Sequence, residues 1–173
     1  MMAAPGVTRR RLLLAAAASA SARTAHGQTL GAPAGIPVLT LRGKVQRTNQ
    51  ADSAVFDMAM LESVAQHSFT TKTPWFKQPR KFTGPLLRDL LALVGAHGNT
   101  LRVAALNDYR IDVPTDDARR FDVTLARLID DRPITVREKG PLFMIYPFDS
   151  DPTLRNAVYY SRSVWQLKTI DVL

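Results

Sequence analysis

Residues 140–173 read GPLFMIYPFDSDPTLRNAVYYSRSVWQLKTIDVL, and their pattern decides the fold reading of the chain. Gly140-Pro141 opens a short apolar run, Leu142 to Tyr146, which Pro147 stops. A run of that length between turn residues predicts a buried strand. A polar loop with Asp149, Asp151 and Pro152 follows. An ordered pattern then returns. Val164, Gln166, Lys168 and Ile170 fall on one side of an extended chain; Trp165, Leu167, Thr169 and Asp171 fall on the other. That alternation predicts a second strand whose two faces meet different surroundings. Between the strands, up to the start of the second, come Tyr159, Tyr160, Arg162 and Trp165. Aromatic rings beside a guanidinium can hold a flat polar heterocycle by stacking and by forked hydrogen bonds.

Outward from this stretch the chain reads as short strands with few helices. Pro37 to Arg47 alternates as a strand, with Leu39, Leu41 and Val45 on one face, and Ala54 to Phe56 predicts another. Asp57 is placed to N-cap a short helix over Met58 to Gln66. Threonine-rich Ser68 to Thr73 predicts a strand that Pro74 stops, and Trp75 to Lys81 reads as a basic, aromatic loop. The clearest helix is Pro85 to Val94, with Thr83 or Gly84 before it, Pro85 in the first turn and Gly95 at the end. Leu86, Leu87, Leu90, Leu91 and Val94 recur there at helical spacing, so this helix packs on a core. Leu101 to Leu106 and Tyr109 to Val113 predict a hairpin turning at Asn107-Asp108, since both residues tolerate positive φ. Asp116 and Asp117 read as caps of a short turn, Phe121 to Leu128 as a strand entering a helical turn, and Asp131-Arg132-Pro133 as a further turn. The expected class is α+β: one domain over residues 38–173, mostly antiparallel sheet with few short helices.

The chain has 173 residues, about one domain's worth, with 46% hydrophobic and 22% charged residues, as in a globular protein. Thr8-Arg9-Arg10-Arg11-Leu12-Leu13-Leu14 runs from basic to apolar, and alanines and serines follow. Residues 1–27 therefore read as an export signal, with paired arginines of twin-arginine character, and residues 28–37 as a flexible lead-in. The apolar run is too short to span a bilayer comfortably, so the expectation is a periplasmic protein that is not embedded in the membrane. Removing the four arginines of the signal takes the formal net charge from +8 to +4. A mildly basic exported domain is a poor candidate for nucleic-acid binding. The absence of cysteine excludes a disulfide framework, thiolate metal ligation and thiol nucleophiles.

Other chemistries lack their signatures. There is no glycine-rich phosphate loop and no Gly-x-Ser-x-Gly elbow. His26, His67 and His97 have no metal-ligand spacing, and no acid–base pair stands out, so no catalytic residue and no metal site is expected. What remains is an aromatic and basic set near strand ends: Trp75, Phe76, Arg80, Tyr109, Tyr146, Tyr160, Arg162 and Trp165. Such a set fits a pocket for a flat ring. Within it Trp75 is the expected stacking ring, Arg162 the fork at the ligand's polar edge, and Asn107 a rim partner whose amide both donates and accepts.

The order of these motifs resembles the sulfite-oxidase-type molybdopterin-binding domain. The stretches that carry the resemblance are Phe82-Thr83-Gly84-Pro85-Leu86-Leu87-Arg88-Asp89-Leu90-Leu91, Ala105-Leu106-Asn107-Asp108-Tyr109 with Val113-Pro114, Gly140-Pro141 through Tyr146-Pro147, and Val164-Trp165-Gln166-Leu167 with Ile170. The resemblance covers most of residues 38–173 and implies a pterin ligand held by Trp75, Asn107, Tyr109, Tyr146, Arg162 and Trp165. Catalytic members hold molybdenum through the pterin dithiolene and one protein cysteine. That cysteine belongs upstream of Phe82, where this chain has Ser68-Phe69-Thr70-Thr71-Lys72-Thr73. A threonine hydroxyl is a poor substitute for a soft thiolate. The departure is similar to a small exported branch of periplasmic pterin-binding regulators, which take reduced pterins without molybdenum. They act on the periplasmic domain of a membrane-bound signalling protein, such as a cyclic-di-GMP synthase/phosphodiesterase. Two classes of function stay open: this pterin-sensing binding protein, and a molybdopterin-dependent oxidoreductase with an unusual ligand set.

Overall fold

A computed structural model describes residues 30–173. The expected export signal, residues 1–27, and the first two residues of the expected lead-in lie outside the described residues. The chain runs β1 (Pro37–Gly43), β2 (Ser53–Asp57), α1 (Met58–Ser63), β3 (Gln66–Thr73), β4 (Phe76–Pro85) and α2 (Leu87–Leu93). It continues with β5 (Thr100–Ala105), β6 (Arg110–Pro114), α3 (Asp117–Arg120), β7 (Thr124–Ala126), β8 (Leu128–Ile129) and β9 (Arg132–Pro133). A 3-10 turn (Val136–Glu138), β10 (Phe143–Ile145), α4 (Ala157–Arg162), β11 (Val164–Trp165) and β12 (Leu167–Val172) complete it. The fold is α+β, with mostly antiparallel sheets and, among the described residues, four short helices. No helix of the described residues is long and apolar enough to cross a membrane.

The largest sheet has the order β2-β1-β12-β5-β6, and its one parallel pairing joins the first strand to the last. Side-chain alternation sorts its two faces. Ala54, Leu41, Ile170 and Val103 stand in register on the core side. One residue further along, Arg42, Asp171, Arg102 and Asp112 stand in register on the outer face, alternating in sign. Arg102 meets Asp112 at 2.8 Å, and Arg42 pairs with Asp171. Each such exposed pair contributes little stability, ~0–1 kcal/mol. Their effect is on register, because a one-residue slip would turn this charged row into the core.

Two smaller sheets, β11-β10-β7 and β3-β4-β8-β9, cover the core from the other side. Strand β4 replaces the expected loop at Trp75–Lys81. Phe76 to Lys81 pairs with β3, and only Pro74 and Trp75 form the turn. Arg80 and Lys81 stay in the strand because Asp130 and Asp131, in the β8–β9 turn, receive them. The strand also runs through Gly84 and takes Pro85, the expected first residue of the helix. A Cβ on Gly84 would lie 2.0 Å from the Leu125 carbonyl oxygen, so only glycine allows that approach. Helix α2 thus begins at Leu87, its first N–H bonded to the Val123 carbonyl at 2.8 Å, and ends at Leu93, with Gly95 at φ +64° turning the chain beyond the cap residue Val94. Leu87, Leu90 and Leu91 are buried, as their spacing predicts.

Other expectations shift at their boundaries. Strand β1 ends at Gly43, so Val45 lies beyond it, and α1 ends at Ser63, where Gln66 already belongs to β3. The Asn107-Asp108 hairpin turns over three residues, Leu106 to Asp108, with only Asp108 at positive φ. Phe121–Leu128 contains no helical turn; it leads into β7 and β8. Asp130 and Asp131, both at positive φ, make the turn before β9, which takes Arg132 and Pro133. The expected strand from Val164 to Asp171 is two strands in two sheets, broken at Gln166, whose φ is +54°.

Asp57 caps α1 and ties down the lead-in. Its carboxylate accepts from the N–H groups of Met60 at 2.9 Å, Gly35 at 2.7 Å and Ala34 at 2.8 Å. These donors, Met60 first, hold the carboxyl below its usual range. A depressed folded-state pKa means the contribution is present above the unfolded value, about 3.9, and is lost as pH falls through the lower folded value. Asp57→Asn is therefore expected to be less stable than the parent at neutral pH, with the gap closing below about pH 4 in acid-denaturation curves. For the core, Leu90→Ala removes a fully buried side chain and is expected to cost about 2–5 kcal/mol in chemical denaturation.

Candidate functional site

The seam where β11 hands over to β12 is where the aromatic residues gather. Trp75 projects from the β3–β4 turn onto Phe143 of β10 and Phe148, at ring separations of 5.5 and 6.1 Å. Trp165 of β11 meets Trp75 at 5.5 Å with the rings at 83°. Helix α4 brings Tyr160 to 6.2 Å from Trp75, nearly perpendicular to it. The β5–β6 hairpin brings Tyr109, whose hydroxyl donates to the Ser161 carbonyl at 2.9 Å. Together they enclose a cavity of about 320 Å³, whose remaining walls include Ala105, Asn107, Ser161, Ser163 and Val164. That is within the usual size of a small-molecule site, roughly 300–1,000 Å³.

The rim offers hydrogen-bonding groups to the cavity. Asn107 accepts the Tyr109 N–H on its side-chain oxygen at 3.2 Å, so its amide NH2 is what it offers outward. The Ser161 and Ser163 hydroxyls donate to the Val158 and Tyr159 carbonyls, which leaves their oxygens to accept from a guest. Neither serine faces a base in the manner of an activated nucleophile. The indole N–H groups of Trp75 and Trp165 have no acceptor among the described residues. The cavity therefore presents aromatic surface, donors and acceptors, the combination a flat polar ring needs.

Four of the six expected ligand residues, Trp75, Asn107, Tyr109 and Trp165, line this cavity. Tyr146 and Arg162 do not. Tyr146 is completely buried and donates to Asp117 at 2.7 Å. Burial first, and the bond to Asp117 second, raise its phenol far above its usual range. Arg162 donates to the same Asp117 oxygen at 2.8 Å and lies over the Tyr159 ring at 5.3 Å. The reason is helical geometry. Tyr160 and Ser161 face the cavity, while Tyr159 and Arg162, one turn apart, face α3. Asp117, expected to cap a turn, makes no cap bond; it is the buried acceptor of this knot. No periodicity in the sequence marks it, because its neighbours come from residues 146 and 162.

The two described histidines, His67 and His97, do not line the cavity. His67 sits 3.2 Å from the Thr124 hydroxyl and His97 3.3 Å from the Gly95 carbonyl, and His26 lies outside the described residues. Among the described residues no group of three or more His, Asp or Glu side chains is placed to hold a metal ion. Removing the guanidinium of Arg162 would leave Asp117 with one partner in a buried setting. Arg162→Ala is expected to lower stability by about 1–3 kcal/mol in urea denaturation, and Arg162→Lys to restore part of the loss.

No sequence model of a known protein family matches the chain, and no curated protein sequence matches it.

Proposed function

We propose that this protein binds a reduced pterin, without molybdenum, in the aromatic cavity. We also propose that it does so in the periplasm and reports occupancy to the periplasmic domain of a membrane-bound signalling protein of the cyclic-di-GMP synthase/phosphodiesterase type. The observation that carries the reading is the perpendicular pair Trp75 and Trp165 at the wall of a cavity with a polar rim. A pterin is flat, polarisable on its faces and lined with donors and acceptors at its edge. A ring against its face and amide and hydroxyl groups at its rim match those needs.

The sulfite-oxidase-type reading of the fold is supported by how its motifs meet. Ala105, Asn107 and Tyr109 come from one stretch, Val164 and Trp165 from a second, and Phe143 of a third packs under Trp75. The metal-free reading is supported by the Ser68–Thr73 segment. Its buried hydroxyl, on Thr71, accepts the Asp149 N–H at 3.0 Å and donates to the Lys72 carbonyl at 3.3 Å. No thiolate is available, and this hard oxygen is already engaged, so the segment does not fit a molybdenum centre.

Both tryptophans of the chain border the cavity, so intrinsic emission reports on it directly. Titration of a dihydropterin into the purified exported protein is expected to quench that emission saturably. Trp75→Phe and Trp165→Phe should each remove much of the quench while keeping the denaturation midpoint close to that of the parent. No binding at micromolar dihydropterin would overturn the assignment. Stoichiometric molybdenum in the exported protein would overturn the metal-free reading and favour the oxidoreductase.

A further inference from the structure

A second concavity, about 610 Å³, lies on the other side of the Trp75–Phe76 step and has the opposite character. Its floor is apolar, with Phe76, Ile129 and Ile134. Its walls carry Arg80 from β4, Arg132 from β9, and Arg137 and Lys139 from the 3-10 turn and its end. The acids nearby are largely committed. Asp130 takes Arg80, Asp131 takes Lys81, and Glu138 accepts from the Thr135 hydroxyl at 3.1 Å. Among the described residues Arg132, Arg137 and Lys139 form no ion pair. Arg132 from one turn, and Arg137 and Lys139 from another, converge on a groove that Asp130 and Glu138 also line; the four cations outnumber the two acids, and such an excess of positive charge draws an anionic counter-ion.

Lys139 links this groove to the aromatic cavity. Its ammonium lies 4.2 Å from the centroid of the Trp165 ring, and its carbonyl accepts the Gln166 N–H at 2.9 Å. Trp165 is a wall of the cavity described above. A cation on an indole face is held by the ring quadrupole, weakly enough that a doubly charged anion in the groove competes for it.

We propose that the groove between Arg80, Arg132, Arg137 and Lys139 is a second binding site, for a small phosphate-bearing molecule, and that Lys139 couples its occupancy to Trp165. Arg132 and Arg137 supply planar forks that match phosphate oxygens, and Lys139 supplies a mobile point charge. Coupling is reciprocal: what binds the groove changes the affinity of the aromatic cavity, and the reverse. The proposal does not depend on the cavity's ligand being a pterin.

Inorganic pyrophosphate is the probe. Calorimetric titration into the full exported protein at low salt is expected to show one saturable site whose affinity falls as salt rises. Arg132→Gln and Arg137→Gln should each weaken it about tenfold or more, and the double variant should abolish it. Arg119→Gln, on α3, should leave it unchanged. These arginines are exposed, so the variants are expected to keep the parent's denaturation midpoint. Pyrophosphate should also shift tryptophan emission in the parent, and Lys139→Gln should lose that shift while retaining measurable binding. No saturable binding at millimolar pyrophosphate, or equal binding by the Arg132/Arg137 double variant, overturns the site. Binding with no change in emission overturns the coupling. A failed dihydropterin titration leaves these results unaffected.

Discussion

The structure turns on one backbone reversal. At Gln166 the chain leaves the small β11-β10-β7 sheet and joins the centre of the five-stranded one. A non-glycine residue at positive φ is costly unless its surroundings hold it. Gln166 is held from every side. Its N–H donates to Lys139, its carbonyl accepts from Leu106, and its side-chain amide donates to Val136 at 2.8 Å. Those three partners belong to the hairpin beside the aromatic cavity and to the turn beside the basic groove. One residue therefore sets the sheet crossing and the spacing of both concavities.

Around that reversal the aromatic residues have two roles at once. Trp75, Phe143, Phe148, Tyr160 and Trp165 contact one another mostly edge to face, at ring separations between 5.0 and 6.2 Å. Edge-to-face packing fills volume and leaves ring faces turned to different neighbours. The same rings that close the core on one side form the cavity wall on the other. Helix α4 is too short to hold Tyr160 in place by itself. The Asp117 knot and the Tyr109–Ser161 bond fasten it to α3 and to the β5–β6 hairpin. A cavity built this way shares its supports with the core.

Much of the fold was legible one residue at a time. Helix α2, the Asp57 cap, the β5–β6 hairpin and the buried run from Leu142 to Tyr146 each follow from local pattern, since spacing, caps and turn residues act over a few positions. The lack of thiols is likewise read from composition alone. Trp75, Asn107, Tyr109 and Trp165 were legible as residues that line one cavity because each sits at a turn or strand end.

What tertiary structure decided are the pairings between distant residues. Strand β4 forms through Trp75's neighbours because Asp130 and Asp131, some fifty positions later, receive Arg80 and Lys81. Helix phase and Asp117 turned Arg162 away from the cavity, and burial took Tyr146 out of it. The parallel joining of β1 to β12, and the break at Gln166, depend on which sheet offers a free edge. Sequence patterns record which face of an element is apolar; they do not record which other element covers it, because that choice is made by packing across the whole chain.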